Sequence, residues 1–419
     1  MSAPPPEAYA GRACPVCGRP GGQPVHEVAA VPVHSCLVMD TRADAVAIGQ
    51  GALAVVLCHG CGAMANRLFS ADDMAYSARY EDSQAFSTTF LDYARGLAER
   101  WVTDWHLEGR TVLEVGAGRG DFSRLLAAAG AGRVVAMDPT LDPARFGEPD
   151  DRVALVAEAF DAGTDLSGVD AVAMRHVLEH VDDPGALLRD LRAALDGRDD
   201  VPVLVELPEA GRILAEGAFW DVYHEHCNYL TRDVAVELFE SAGFTVRAAT
   251  LAYSRQYVHV EALPTGTVRP MRLPPSAAAE LARDTDLFRS AAREQVATLA
   301  RAVEQSAPTG RVVVWGSGSK GTAFLHALGP AARLVDAVVD VNPHLWGKHV
   351  AGTGHAIVAP GTLADEPVDL VVAMNPVYAT EIRAELDRLS PGARLLALGD
   401  AEVGAEVGAE RVLTPRRRA

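Results

Sequence analysis

The chain has 419 residues, 49% of them apolar, and a formal net charge of −18. That length exceeds what one hydrophobic core supports, so two or three globular domains are expected. The acidic balance, with basic residues clustered only in the tail Arg416-Arg417-Arg418, excludes a nucleic-acid partner. No apolar run approaches the roughly 18 residues of a membrane helix, and the start Met1-Ser-Ala-Pro-Pro-Pro lacks the charged and apolar regions of a signal peptide. A cytoplasmic protein without a membrane partner, monomeric or homodimeric, is the expectation.

Six cysteines occur, and four form two pairs, Cys14-Pro-Val-Cys17 and Cys58-His-Gly-Cys61. In a reducing compartment two Cys-x-x-Cys knuckles read as one tetrahedral zinc site, Cys14, Cys17, Cys58 and Cys61, closed by four thiolates and therefore structural. Glycines 18 and 62 follow the knuckles and let the chain turn around the metal. A thioredoxin-like redox pair is the rival, disfavoured because neither knuckle reads as following a buried strand and opening a helix. His34 and His59 are substitute ligands; Cys36 and Cys227 are left over. We place this module at residues 1–75. The polar run from Tyr76 through Tyr80 leads into a helix through Phe90 and Tyr93, whose aromatic rings either line a cleft or simply pack.

A middle domain, residues 76–262, begins with a strand that turns through a glycine loop into a helix: Thr111-Val-Leu-Glu114-Val-Gly116-Ala-Gly118-Arg-Gly120-Asp-Phe. The glycines permit close backbone approach to a ligand. Dinucleotide enzymes and methyltransferases share such loops, and Asp138, at the end of the next strand, suits the ribose of either. Glu114 favours a methyltransferase, because a carboxylate there orders the loop facing a methionine moiety, where the dinucleotide pattern has an apolar residue. Ala159 and Phe160 follow the third strand, where an adenine ring would stack. A fourth strand, Val169 to Met174, runs into His176-Val-Leu-Glu-His180, and Val203–Glu206 forms a fifth, in an alternation of strand and helix throughout. Ligands of such sheets bind outside the carboxyl ends of the strands, where Gly116, Asp138, Phe160 and His180 fall. Farther on, Trp220-Asp-Val-Tyr223-His224-Glu225-His226-Cys227 gathers bases beside this site. His226 titrates near neutrality and is a candidate general base, with Glu225 or His224 in support; the same stretch also reads as the polar start of a helix.

Tyr253 to Glu261 reads as an edge strand. A Pro-rich linker and a long helix, Ala277 to Glu304, follow, with Leu281, Leu287, Val296 and Leu299 at helical spacing and assigned to the core. The last domain, residues 263–419 with that helix at its start, opens a second strand-glycine-helix unit, Arg311-Val-Val-Val-Trp-Gly316-Ser317-Gly-Ser-Lys320. Helix N-termini after such loops attract phosphate, and Lys320 adds a point charge. Asp340 would hold an NAD ribose in an oxidoreductase, although no second catalytic set follows it. Asp340-Val-Asn-Pro343 and Met374-Asn375-Pro-Val-Tyr378 read as turns lining the same cleft.

The paired knuckles, the Glu-x-Gly-x-Gly-x-Gly loop, His180 and Tyr-x-Glu-His together resemble the sugar C-methyltransferases of antibiotic deoxysugar pathways, nearly end to end. The resemblance implies an α/β protein in which a class I, Rossmann-like methyltransferase domain lies between the zinc module and a second Rossmann-like domain. It implies S-adenosylmethionine as cofactor and a TDP-linked 4-keto sugar as acceptor, methylated at carbon 3. It makes His226 the base that removes the carbon-3 proton, Tyr223 and His180 the groups that steady the enolate oxygen, and Glu225 the carboxylate beside them. The last domain, through Gly316, Ser317, Lys320 and Asn375, would hold the nucleotide or only pack. Where the family carries a Tyr-His-Ser-Ser-type stretch this chain has Tyr80-Glu-Asp-Ser83, so Tyr80 is a substrate-binding candidate and the acceptor stays open. The chemistry requires such groups: a carbon beside a ketone must lose a proton before attacking a methyl sulfonium, and the enolate needs donors aimed at its oxygen. The carbon must also sit about 3 to 3.5 Å from the methyl. The alternatives are an O- or N-methyltransferase of a related natural product, a zinc-stabilised nucleotide sensor without turnover, and an NAD-dependent oxidoreductase.

Overall fold

The computed structural model describes residues 3–37, 39–74, 81, 83–145, 150–308 and 310–399. The basic tail lies outside them. Three sheets organise these residues. The first is antiparallel and ordered Gln23–Pro32, Gln50–Leu57, Met64–Asn66, Asn228–Tyr229, so its last strand comes from the middle of the chain.

The second sheet has seven strands in the order Thr245–Ala252, Tyr257–Leu263, Val203–Pro208, Ala171–Arg175, Thr111–Val115, Arg133–Met137, Val153–Val156. Its last five strands are parallel; Tyr257–Leu263 runs antiparallel to them, and Thr245–Ala252 runs antiparallel to Tyr257–Leu263 in turn. The central strands are runs of Val, Ala and Leu without polar alternation, because helices cover both faces. Thr88–Asp104 covers one face with Trp101, fully buried and edge-on to Phe122 at 5.6 Å. That helix is started by Ser87, whose hydroxyl accepts from Phe90 N; Pro184–Ala194 is started by Asp183 and a proline in its first turn.

Three expectations are corrected here. Tyr257–Leu263 lies inside the sheet, and Thr245–Ala252 is the edge. Tyr253, Ser254 and Arg255 between them form a turn with φ of 49°, 54° and 65°, a left-handed run without glycine. Strand and helix also do not alternate throughout: the passage from Val156 to Ala171 contains turns and no helix.

The third sheet is wholly parallel, ordered Ile357–Val358, Ala337–Val339, Val312–Trp315, Leu370–Ala373, Arg394–Ala397. Its order reverses between Val312–Trp315 and Leu370–Ala373, as that of the second sheet does between Thr111–Val115 and Ala171–Arg175. Both fissures open at the carboxyl ends of their strands.

The helix Pro275–Ser306 ties the parts together, burying Phe288, Leu299 and Val303 in a core shared with the first sheet and the third. Leu281 and Val296 pack against this core. Leu287 does not; it is 60% exposed, because it lies about 100° around the helix from Phe288, off the stripe formed by Thr285, Phe288, Ala292, Leu299 and Val303. Gln23 Nε2 donates to Ala282 O (3.1 Å) and Asp286 (2.8 Å), and Arg289 to Pro24 O (2.8 Å).

This helix presses Phe288 edge-on against His26, at 6.0 Å between rings. Burial first, then the Arg289 charge, pushes the His26 pKa from 6.5 down to about 4, with Glu27 opposing. A histidine lowered on folding binds fewer protons than the unfolded chain between these values, so stability falls as pH drops through that window. Urea unfolding of the wild type and of His26→Gln is therefore expected to converge as pH falls from 6.5 to about 4. A difference that stays constant with pH would contradict this.

Candidate active site

The four knuckle cysteines come within 4.8 Å of one another and are free of disulfides. Cys14 and Cys61 sulfurs are 3.7 Å apart and those of Cys17 and Cys58 3.5 Å. A tetrahedron with Zn–S of about 2.3 Å has edges of about 3.8 Å, so these thiols fit the metal. Gly18 and Gly62 take φ of 73° and 77°, and each donates back to the first cysteine of its knuckle, Cys14 O and Cys58 O, at 2.8 Å. The second knuckle does follow a buried strand, Gln50–Leu57, contrary to expectation, but no helix opens after it.

A cavity of about 980 Å³ runs from the glycine loop of the second sheet to the strand ends of the third. At its first end lie Glu114, Gly116, Gly118, Asp138, Ala159 and Phe160. Gly116 has φ 73°, and a Cβ there would meet Val177 Cγ2 at 2.2 Å. Gly120 does not line the cavity; with φ 71° it forms the left-handed turn that starts Asp121–Ala128. Burial raises the Glu114 carboxyl to about 7 against the Ser123 hydroxyl that donates to it. Asp138 accepts from Gly118 N at 3.0 Å and from Thr140 N at 2.7 Å, drawing the loop against the next strand. These residues fit S-adenosylmethionine: an acid at the strand end for a ribose, an aromatic ring for adenine, and backbone with no side chain in the way.

At the middle of the cavity stand Tyr223, His226 and His180. Tyr223 Oη and His226 Nε2 are 3.2 Å apart, and the rings of His180 and His226 meet edge to face at 4.8 Å. His180 Nδ1 donates to Glu225 O at 3.0 Å. Burial, then the charges of His180, His176 and Lys320, hold His226 well below its ordinary pKa, and burial holds the Tyr223 phenol well above its own. The stretch is not the start of a helix but irregular and largely buried, and its side chains point to different neighbours. Glu225 and His224 do not reach the cavity. Glu225 accepts from Ser35 N at 2.5 Å and Ser35 Oγ at 3.1 Å, in the first domain. The His224 ring lies against Phe69 at 5.7 Å, in space left by Gly51, whose Cβ would meet it at 2.5 Å.

The far end comes from the third sheet. Gly316 and Asn375 line it, whereas Ser317 is turned inward, its N (2.8 Å) and Oγ (2.6 Å) donating to Asp340. Asn375 pairs amide to amide with Gln256 of the middle domain, at 2.8 and 3.0 Å. Lys320 lines the cavity but is ion-paired to Asp221, which also holds Arg212, so its charge is already matched. Tyr80 lies outside the described residues.

Several residues that sequence reasoning passed over complete the site. Glu206, 0% exposed, is ringed by Arg175 (2.7 Å), His176 (3.0 Å), His259 (2.9 Å) and Tyr93. Glu81 accepts twice from Arg119 of the glycine loop at 2.8 Å and once from Asn342 at 3.1 Å, joining three parts of the chain. Glu179 faces His180 and His226. The one available signal was a lone acid inside an apolar strand, Val203-Leu-Val-Glu206.

A doubly wound sheet whose strand ends carry this acid–glycine loop defines an S-adenosylmethionine-dependent methyltransferase, and residues 86–249 match the family model of a methyltransferase domain. More particularly, residues 280–397 match the model of a C-methyltransferase C-terminal domain, so the enzyme joins that domain to its methyltransferase core. Among solved structures the chain is similar to the 1,6-didemethyltoxoflavin-N1-methyltransferase of Burkholderia thailandensis (23% identity, TM-score 0.32, 42% of this chain and 81% of that one). It is also similar to magnesium protoporphyrin IX methyltransferase of Synechocystis (17% identity, TM-score 0.34, 44% and 91%). No curated protein matches the chain. Among the described residues no helix is long and apolar enough to cross a membrane.

Asp221 is one of the groups that join the second sheet's part of the chain to the third's, beside the Gln256–Asn375 pair. Removing it leaves Arg212 and Lys320 without their shared anion, so Asp221→Ala is expected to lower unfolding free energy by about 3 kcal/mol in urea titration. An unchanged midpoint would show that the pair is not needed.

Proposed function

We propose that the protein methylates carbon, on a nucleotide-activated keto-deoxysugar with TDP as the nucleotide, through an enolate made by His226. The supporting observation is that Tyr223, His226 and His180 meet in the same cavity as the loop of Glu114 and Gly116. When bound, S-adenosylmethionine supplies an electrophilic methyl group. His226 takes the proton from the carbon beside the ketone, and buried as it is, it meets little competition from water. Tyr223 donates to the enolate oxygen, and His180, whose Nδ1 is spent on Glu225 O, does so through Nε2 when doubly protonated. Asp138 holds the ribose of the cofactor and Phe160 its adenine. Methylation of oxygen or nitrogen would need no enolate and would leave the Tyr223–His180 pair without a task.

The nucleotide lies toward the third sheet. Lys320 is held by Asp221, so the phosphates are met by the unpaired backbone amides at the start of Ser319–Ala327. Asn375 and Gln256 are positioned to read the acceptor beside them. The four cysteines hold a structural zinc that supports the first sheet, and through Ser35 this sheet sets Glu225. The protein works in the cytoplasm.

The test is exchange and transfer on TDP-4-keto-deoxysugars in heavy water. The wild type is expected to wash deuterium into the carbon acid and to place the methyl there, and His226→Asn to lose both by about 100-fold or more while still binding S-adenosylhomocysteine. Methyl found on a heteroatom, or full turnover by the variant, would sink the proposal. Zinc is tested separately: a strong chelator should release about one equivalent of zinc and lower the melting temperature. Metal-free protein with an unaltered melt would refute the structural role.

A further inference from the structure

We propose that Glu179, His180 and His226 form a binding site for a divalent cation of the zinc class, and that a cation bound there withdraws the base. The first half stands on geometry alone; the second rests on the reaction proposed above. One ligand atom from each residue lies within 4.8 Å of the other two, and all three residues line the cavity. Two imidazoles and a carboxylate are the ligand set of open zinc sites, in which a fourth position is left for water or an added molecule.

Glu179 is 3% exposed, and its Oε2 is buried without a hydrogen-bond partner. A carboxylate oxygen in that state costs free energy unless something positive comes to it. Its other oxygen is 3.2 Å from His176 Nδ1, and His180 Nδ1 donates to Glu225 O at 3.0 Å. Such outer contacts orient metal ligands: a carbonyl can only accept, so singly protonated His180 carries its lone pair on Nε2. The repulsion that His176 and Lys320 exert on positive charge at His226 is offset in part, since Arg175 lies against Glu206, His176 against Glu206 and Glu179, and Lys320 against Asp221. The site is separate from the four thiols, none of which lines the cavity. A cation here engages the imidazole of His226 and leaves no lone pair for a carbon-bound proton.

The experiment is a titration of the purified full chain with Co²⁺, followed by visible absorption. The wild type is expected to develop ligand-field bands without the ultraviolet charge-transfer band of thiolate ligands, saturating at about one equivalent. Glu179→Gln, which keeps the shape of the side chain, and His180→Asn should each weaken this binding at least about tenfold. Absence of the bands, bands accompanied only by thiolate charge transfer, or both variants titrating like the wild type would overturn the site. Zn²⁺ should then inhibit methyl transfer reversibly and compete with the acceptor; inhibition that the acceptor does not relieve would overturn the second half. The two readings fail separately. Turnover by His226→Asn removes the proposed base but leaves the Co²⁺ bands standing, and missing bands remove the site but leave the base.

Discussion

The placement of Tyr223 and His226 depends on two neighbouring carboxylates, Asp221 and Glu225, each anchored from a distant part of the chain. Between Trp220 and Tyr229 the chain has almost no regular structure of its own, apart from the two-residue strand Asn228–Tyr229. Backbone hydrogen bonds therefore cannot hold its side chains in direction. Instead Asp221 is gripped by Arg212 and Lys320, and Glu225 by the amide and hydroxyl of Ser35. Tyr229 closes the loop by donating to Tyr223 O and accepting from Tyr223 N, at 3.0 and 3.1 Å. With Asp221 held from Lys320 and Glu225 from Ser35, the loop between and beside them is fixed so that Tyr223 and His226 line the cavity. The cavity wall that carries Tyr223 and His226 is thus held by groups from distant parts of the chain, Ser35 before them and Lys320 after them.

The same principle governs charge in the cavity wall. Arg119 meets Glu81, Arg175 meets Glu206, and Arg212 shares Asp221 with Lys320. Lys320 reaches Asp221 from 99 positions away, so the desolvation of this lysine is offset only when the third sheet packs beside the second, whereas Arg175 and Glu206 face each other on neighbouring strands of the second sheet. Buried ion pairs are weak sources of stability, but breaking one is expensive, which makes them good devices for specifying a single arrangement. The left-handed turn at Tyr253–Arg255 fits this picture: it carries backbone strain and presents Gln256 to Asn375.

Both strand-glycine-helix units could be read from the sequence, because glycine spacing and unbroken apolar strands are local signals. Glu114, Gly116 and Asp138 were legible for that reason. The roles of Glu225 and His224 were not. Adjacent to His226, they look like its partners, but their directions are set by Ser35, 190 positions away, and by the hollow at Gly51. Lys320 misled in the same way, since a lysine after a glycine loop suggests phosphate until Asp221, 99 positions earlier, is seen beside it. The inner position of Tyr257–Leu263 was hidden because antiparallel strands added to a parallel sheet carry no mark of which is outermost. Leu287 was misassigned because it lies off the face that Phe288, Ala292 and Leu299 bury, and an apolar residue on the solvent side carries no mark of its direction.

Electrostatics explains why the proposed chemistry asks for a buried neutral base more than for a strong one. In the proposed step an enolate and a sulfonium, oppositely charged, become two neutral products. A dry cavity favours the disappearance of charge, so transfer itself needs little help beyond alignment. The difficult step is the earlier one, which creates charge where the surroundings resist it. A phenol and an imidazole already aimed at the oxygen lower that cost without reorganising, whereas water would have to turn its dipoles first. Glu179 and Glu206 stand behind this pair and match the positive charge that His176 and Arg175 bring to the wall. On this proposal the parts of the chain around the cleft contribute to the rate chiefly by keeping these dipoles fixed.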